Sequence, residues 1–163
     1  MPKVKDREYR AMQAMQAEED KEYRVTGYAS TFEPYVMYSY DGIDYYERID
    51  PHAFDAADMT DVIMQYDHNG RVFARTGKGL ELSIDSHGLK IDADLSLSSR
   101  AKDLYEDIKA GLINKMSFAF TVAEDAYDRD THTRTILKIK KVYDVSAVSI
   151  PANGDTDISA RSF

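Results

Sequence analysis

The segment 115–121 (KMSFAFT) carries a serine in a setting that suits a nucleophile. Successive side chains of a strand point to opposite faces, so Met116, Phe118 and Phe120 would share one large apolar face. Ser117 lies on the other face between small neighbours, which leave room for a substrate above its hydroxyl. The same alternation is typical of any half-buried strand, and the alternative is a serine that merely faces water.

A serine hydroxyl is a weak nucleophile and needs a neighbouring base, which in turn needs an acceptor to orient it. The candidate bases are the four histidines, His52, His68, His87 and His132. His68 closely follows a short apolar run, 62–66 (VIMQY), so a rigid strand would hold its imidazole at the mouth of a cleft. A solvated loop histidine is the alternative for each of the four.

Asp144 is the candidate acceptor, because it lies inside the predicted last strand, 142–150, where propensity disfavours a carboxylate. An aspartate on the solvent face of a sheet is the alternative. Acyl transfer also needs donors for an oxyanion, which backbone N–H groups or an arginine would supply. Arg75 is a speculative candidate for that role.

Other classes of chemistry lack their motifs. The chain has no cysteine and no histidine pair at the spacing of zinc proteases, so we expect no metal site. It has neither a glycine-rich phosphate-binding motif nor a G-x-S-x-G elbow, so we expect no nucleotide cofactor and no α/β-hydrolase. A net charge of -8 argues against nucleic acid as a partner. No run of eighteen apolar residues and no secretory signal is present, so we expect no membrane partner.

The elements that would position these side chains are mostly strands. The segments with strand patterns are 22–32, 45–49, 62–66, 72–79, 80–84, 89–95, 115–123, 133–140 and 142–150. The turn 85–88 predicts a hairpin, and 33–44 a loop or the two sides of another. Adjoining strands without a βαβ rhythm predict one domain, an antiparallel sheet or barrel with helices packed outside, in the α+β class.

Two helices are predicted among these strands. Ser98 or Ser99 would cap one that runs to Ala110 and stops at Gly111. Asp50-Pro51 would open a short second one through Ala57. By propensity, residues 1–21 predict a flexible or helical N-terminal arm.

Seven segments, in order, resemble the prohead (procapsid maturation) serine proteases of tailed bacteriophages. They are VTGYASTF (25–32), YYERIDPHAFD (45–55), DVIMQYDHNG (61–70), ARTGKGLEL (74–82), DSHGL (85–89), DLYEDIKAGLINKMSFAF (103–120) and YDVSAVSIPAN (143–153). They define a protease domain over 22–153, followed by a tail over 154–163. The resemblance implies a fold related to herpesvirus assemblin, a closed and mainly antiparallel β-barrel surrounded by helices.

The resemblance also implies catalytic roles for His68 and Ser117, which lie in the matching motifs 66–69 (YDHN) and 116–118 (MSF). The herpesvirus enzymes use a second histidine as the third member, on a strand after the serine. Here the comparable strand offers Asp144, where phage relatives often carry an acidic residue. His132 comes earlier, in a predicted hairpin tip, so we prefer Asp144.

The implied activity is that of a serine endopeptidase that cleaves scaffold protein, or scaffold segments of the major capsid protein, and itself. It would need no cofactor and would act inside the phage procapsid, in the host cytoplasm, by analogy as a homodimer. Two alternatives stay open. One is a catalytically inactive capsid-assembly or scaffolding module with the same fold, and the other is a β-rich binding domain without a viral role.

Overall fold

The computed structural model describes residues 7–17 and 22–149, which form ten strands and one helix. The strands are β1 (Glu8–Ala17), β2 (Arg24–Thr31), β3 (Tyr35–Tyr40), β4 (Ile43–Ile49), β5 (Ile63–Tyr66), β6 (Asn69–Thr76), β7 (Gly79–Ile84), β8 (Gly88–Asp94), β9 (Lys115–Asp128) and β10 (Thr133–Val148). The helix α1 (Ser99–Lys109) lies between β8 and β9.

All of these strands belong to one sheet, in the order β3-β4-β10-β5-β6-β7-β8-β2-β1-β9, and β9 also pairs with β10. The sheet curls strongly into a half-barrel. The mainly β character that we predicted is confirmed, but the closed antiparallel barrel surrounded by helices is not. β10 pairs in parallel with both β4 and β5, and β6 pairs in parallel with β7. The β6–β7 and β10–β5 ladders are only two residue pairs long.

The longest ladder joins β9 to β10, which run antiparallel from the pair Lys115 and Val148 to the pair Asp128 and Thr133. Its inner face supplies much of the core, in which Phe118 and Phe120 are fully buried and stack with their ring centroids 4.4 Å apart. Full burial of one such side chain contributes about 1.5–3 kcal/mol. Met116, Phe118 and Phe120 join the core cluster and Ser117 does not, as predicted, but both faces of the strand are buried here. The two strands predicted over 133–150 are the single strand β10, interrupted by bulges.

Helix α1 follows the local signals in its sequence. The hydroxyl of Ser98 accepts a hydrogen bond from the N–H of Ala101 at 3.1 Å, as a helix N-cap does. The apolar face of the helix is buried against the sheet through Ala101, Leu104, Tyr105 and Ile108. The chain leaves the helix at Gly111, whose φ of +81° suits glycine. The start and end that we predicted for this helix are both confirmed.

The short helix predicted after Asp50-Pro51 is wrong, because residues 51–56 form consecutive turns. Asp50 does accept a hydrogen bond from the N–H of His52, as an N-cap would. The helix cannot continue, because the carbonyl of Ala53 accepts instead from the N–H of Ile139 on β10, at 2.9 Å. The N–H of Ala57 then closes a tighter turn to Phe54. A tertiary hydrogen bond therefore overrides a good local start signal.

The helical form predicted for the N-terminal arm is also wrong where the structure describes it, because Glu8–Ala17 form β1. This strand pairs with β2 on one side and with β9 on the other. Helix propensity is a weak preference, and two ladders of hydrogen bonds outweigh it. Residues 1–6 and 18–21 of the arm, and the predicted tail 154–163, lie outside the described residues.

A buried ion-pair network anchors β1 to the rest of the sheet. The guanidinium of Arg10, 2% exposed, donates to Glu47 and to Glu8, in each case at 2.7 Å. Glu47 on β4 is fully buried and also accepts from Arg134 at 2.9 Å and from the hydroxyl of Tyr35. Burial alone would raise the pKa of Glu47, but the charge and hydrogen bonds of Arg10 and the hydrogen bond from Tyr35 outweigh it, so this pKa lies below its ordinary value.

Replacing Glu47 by Gln should lower the free energy of unfolding by about 3 kcal/mol at neutral pH, because Arg10 and Arg134 keep buried charges without their partner. A carboxylate with a lowered pKa stabilises the fold above its unfolded pKa, and this stabilisation is lost as the pH falls through the folded pKa. The difference between wild type and Glu47→Gln should therefore shrink below about pH 4.5, the ordinary value for this group. Urea denaturation from pH 3 to 8 measures it. Exposed Glu33→Gln is the control, and a difference that does not vary with pH would contradict the prediction.

Candidate active site

His68 lies in the tight turn that joins β5 to β6. Tyr66 and Asn69 are paired, so Asp67 and His68 are the two turn residues, and both have left-handed backbone conformations, with φ of 52° and 60°. A two-residue turn of this kind suits the twist of a hairpin but normally favours asparagine and glycine. A histidine in this conformation is uncommon, and such backbone strain is concentrated at functional sites.

Hydrogen bonds to the end of β10 hold this turn in place. The N–H of Asp67 donates to the carbonyl of Ala147 at 2.8 Å. The carboxylate of Asp67 accepts from both the N–H and the hydroxyl of Ser149, each at 2.8 Å. The turn is therefore fixed to the strand that carries Asp144, although the two segments are far apart in sequence.

The imidazole of His68 reaches the carboxylate of Asp144, with Nδ1 2.5 Å from Oδ1. Asp144 is buried and His68 nearly so, with side chains 5% and 13% exposed. An ionised carboxylate only accepts hydrogen bonds, so Nδ1 carries the proton in this pair and Nε2 is left as the acceptor nitrogen. The ring of Tyr9, on β1, packs edge-on against the imidazole at 4.7 Å. The pair thus has the geometry of an oriented general base.

A bulge in β10 determines the face of the sheet to which the side chain of Asp144 points. The register shifts between Val142, which lies opposite Phe120, and Asp144, which lies opposite Ala119. The extra residue, Tyr143, lets Val142 point into the core while Asp144 points to the other face of the sheet. Bulges of this kind re-aim side chains and are common beside active sites.

Ser117 lies on the same face as Asp144, between Ala11 on β1 and Ser146 on β10. It is fully buried, and its Oγ has no hydrogen-bond partner among the described residues. The structure joins His68 to Asp144 and brings Ser117 to the neighbouring strand, but no hydrogen bond links Ser117 to His68. In the absence of substrate, catalytic hydrogen bonds are often long and tighten only in the complex.

The remaining candidates lie elsewhere. Arg75 is exposed and forms a two-pronged ion pair with Asp61, with both contacts of Nη2 at 2.9 Å. His132 lies near the β9–β10 turn beside Tyr45, roughly 35 Å along the strand from Asp144. His52 pairs with the exposed Asp55, and the ring of His87 packs on Tyr28.

Three residues at this site escaped the sequence analysis as participants, namely Tyr9, Asp67 and Ser146. Ser146 shares its strand face with Asp144, so simple alternation indicated its position but not its hydrogen bonds. Asp67 directly precedes the histidine in a turn-rich tetrapeptide, which was a usable signal. No signal in the sequence indicated a role for Tyr9, because its segment predicted a helical arm.

A cavity of about 310 Å³ lies beside the His68 turn but does not contain Ser117. Its walls include Tyr66, Phe73, Leu104 and Ile113, with charged side chains at the rim. Tyr66 is in register with Ala147, which points into the core. The lining of the cavity includes none of Ser117, His68 and Asp144.

A histidine that a buried carboxylate orients, together with a buried serine on the strand next to that carboxylate, has the composition of a serine peptidase site. The family of caudovirus prohead serine proteases matches residues 10–163. The chain belongs to this family, and the resemblance seen in its seven segments is confirmed. Comparisons with curated proteins and with solved structures found no significant match.

Membership of this family indicates a serine peptidase with a role in capsid maturation of tailed phages, and a location in the procapsid. Within 7–17 and 22–149, no helix has the length and apolar character needed to cross a bilayer.

Replacing Asp67 by Ala should lower the free energy of unfolding by about 1 kcal/mol, because it removes the acceptor for both donors of Ser149. Asp67→Asn should retain most of the stability, since asparagine tolerates the left-handed conformation and still offers a carbonyl acceptor. Urea denaturation midpoints measure both changes. Asp55→Ala, also at an exposed turn, is the matched control, and equal midpoints for the two alanine variants would count against a special role of Asp67.

Proposed function

We propose that this protein is a serine endopeptidase in which Ser117 is the nucleophile, His68 the general base and Asp144 the residue that orients His68. Its substrates would be the scaffold protein, or scaffold segments of the major capsid protein, and the protease itself. The observation that carries the proposal is the hydrogen bond between His68 Nδ1 and Asp144, which leaves Nε2 as the acceptor nitrogen in a member of the prohead protease family.

In the proposed reaction, Nε2 of His68 takes the proton of the Ser117 hydroxyl as Oγ bonds to the carbonyl carbon of the scissile peptide. The carbonyl oxygen becomes an oxyanion, and Asp144 stabilises the imidazolium that forms. The imidazolium then protonates the amine, which leaves as the carbon–nitrogen bond breaks. Water then bonds to the acyl carbon as His68 takes its proton, the bond between that carbon and Oγ breaks, the proton returns to Ser117, and the carboxylic acid is released. Backbone N–H groups would stabilise the oxyanion, and Arg75 would have to leave its ion pair with Asp61 to do so.

The buried state of Ser117 sets a condition on this mechanism. Its Oγ has no partner, and an unpaired buried hydroxyl carries a free-energy cost that a hydrogen bond would relieve. We propose that substrate binding brings Ser117 and His68 into hydrogen-bond reach. The enzyme would do this inside the procapsid, in the host cytoplasm, as a homodimer and without nucleic acid, membrane or cofactor.

The second candidate function is a catalytically inactive assembly module with the same fold. The observation that favours it is again at Ser117, which is fully buried and lacks a hydrogen bond to His68. Such a module would keep the family fold and bind the shell without cutting it. The two candidates make opposite predictions for the loss of the Ser117 hydroxyl.

In co-expression with the cognate capsid and scaffold proteins, wild type should trim scaffold or itself, and Ser117→Ala should leave full-length chains. His68→Ala should slow cleavage by roughly 10³-fold or more, because the hydroxyl loses its base. Intact mass measurement reports cleavage, and a fluorophosphonate probe reports serine reactivity. The matched control is Ser30→Ala, which removes another fully buried hydroxyl, whose hydrogen bond within the described part of the chain goes to the carbonyl of Thr31.

Equal trimming by wild type and Ser117→Ala would rule out Ser117 as the nucleophile. If neither protein trims while shells still assemble, the inactive module is the better account. Labelling by the probe that disappears in both Ser117→Ala and His68→Ala, but persists in Ser30→Ala, supports the peptidase.

A further inference from the structure

Ser146 is a second serine at the candidate site, and its hydrogen bonds differ from those of Ser117. It is fully buried on β10, directly opposite Ser117 and two residues after Asp144. Its hydroxyl donates to Oδ1 of Asp144 at 2.6 Å and accepts from the backbone N–H of Gln65 at 3.2 Å.

These contacts fix the direction of the Ser146 hydroxyl proton. A backbone N–H can only donate, so the bond from Gln65 occupies a lone pair of the hydroxyl oxygen. The proton is then directed to Asp144, whose ionised carboxylate only accepts. Ser146 is therefore engaged on both sides and fully buried, which makes it a poor nucleophile.

The same contacts tie the orienting carboxylate to the strand that carries the base. Oδ1 of Asp144 accepts from both His68 and Ser146. Gln65 lies on β5, three residues before His68, and its N–H is held by the same hydroxyl. A displacement of β5 would thus strain the Ser146 contact that positions the carboxylate. Chains of hydrogen bonds in a buried site reinforce one another.

We propose that Ser146 is a positioning residue, which holds Asp144 in the orientation that directs the Nε2 atom of His68 towards Ser117. The role of Ser146 rests on the proposed function, in which Asp144 orients the base. Its effect is indirect, since its hydroxyl donates to Asp144 and acts on His68 through that carboxylate. Loss of its hydroxyl leaves Asp144 free to rotate, and small misplacements of a catalytic group reduce rates strongly.

The test compares wild type, Ser146→Ala, Ser146→Thr and Ser30→Ala in two measurements. The first is proton NMR of the low-field resonance from the hydrogen bond between His68 and Asp144, assigned by its absence in His68→Gln. The second is the rate constant for labelling of Ser117 by a fluorophosphonate. In Ser146→Ala we expect the resonance to broaden or disappear and labelling to slow about 10- to 100-fold. Ser146→Thr keeps the hydroxyl and should retain both, as should Ser30→Ala.

Wild-type behaviour of Ser146→Ala in both measurements would overturn the proposal. So would labelling of Ser146 by the probe in Ser117→Ala, because a positioning hydroxyl does not react. If Ser146→Ala does not fold, Ser146→Thr and Ser146→Val decide, since they have the same shape and differ only in the hydroxyl. Equal results for these two would overturn the proposal.

The NMR measurement keeps this proposal separate from the proposed function. If wild type is not labelled at all, the peptidase proposal fails, while the resonance still reports whether Ser146 holds the pair of His68 and Asp144. If labelling is normal and the resonance is insensitive to residue 146, only the positioning role fails.

Discussion

The register between β9 and β10 is the constraint on which the candidate site depends. It sets Ser117 opposite Ser146 and Ala119 opposite Asp144, so that the hydroxyl and the carboxylate share one face. A slip by one residue would turn every side chain of a strand to the other face of the sheet. The large apolar neighbours of Ser117 would then occupy the face of the candidate site in its place. The buried aromatic side chains of the inner face oppose such a slip, because they would lose their place in the core. Packing on one face of the ladder therefore determines the chemistry on the other.

Strand β1 contributes a side chain to each of the two faces of the sheet. Arg10 enters the buried network with Glu47, while the neighbouring residue Tyr9 packs against the imidazole of His68. Arg10 therefore anchors β1 in the sheet, and the adjacent Tyr9 forms part of the surroundings of the candidate base. Because Arg10 and Glu47 are almost completely removed from water, the cost of desolvating both charges offsets much of their attraction, whereas removing one partner would leave a buried charge unpaired.

Local features were predictable from the sequence to the extent that local interactions decide them. The cap at Ser98, the stop at Gly111 and the alternation around Ser117 depend on neighbouring residues, and the structure has all three. The turn after Asp50-Pro51 and the strand Glu8–Ala17 do not depend on neighbouring residues alone. Hydrogen bonds from distant strands override the helix propensity of both segments. Periodicity could not show that β10 lies in parallel beside β5, which is the pairing that brings Asp144 to His68.

In the turn at Asp67 and His68, both residues have a left-handed backbone conformation, which is unfavourable for histidine. The imidazole is therefore held at this position at a cost in local stability. Asparagine followed by glycine would adopt this conformation at a lower free-energy cost than aspartate followed by histidine. The contacts of Asp67 with Ser149 and of His68 with Asp144 oppose that replacement. In family members that have lost peptidase activity, we expect glycine to replace the residue at position 68 while the core remains unchanged. If His68 is the base, as proposed, the residue at that turn position would differ between family members that cut protein and those that do not.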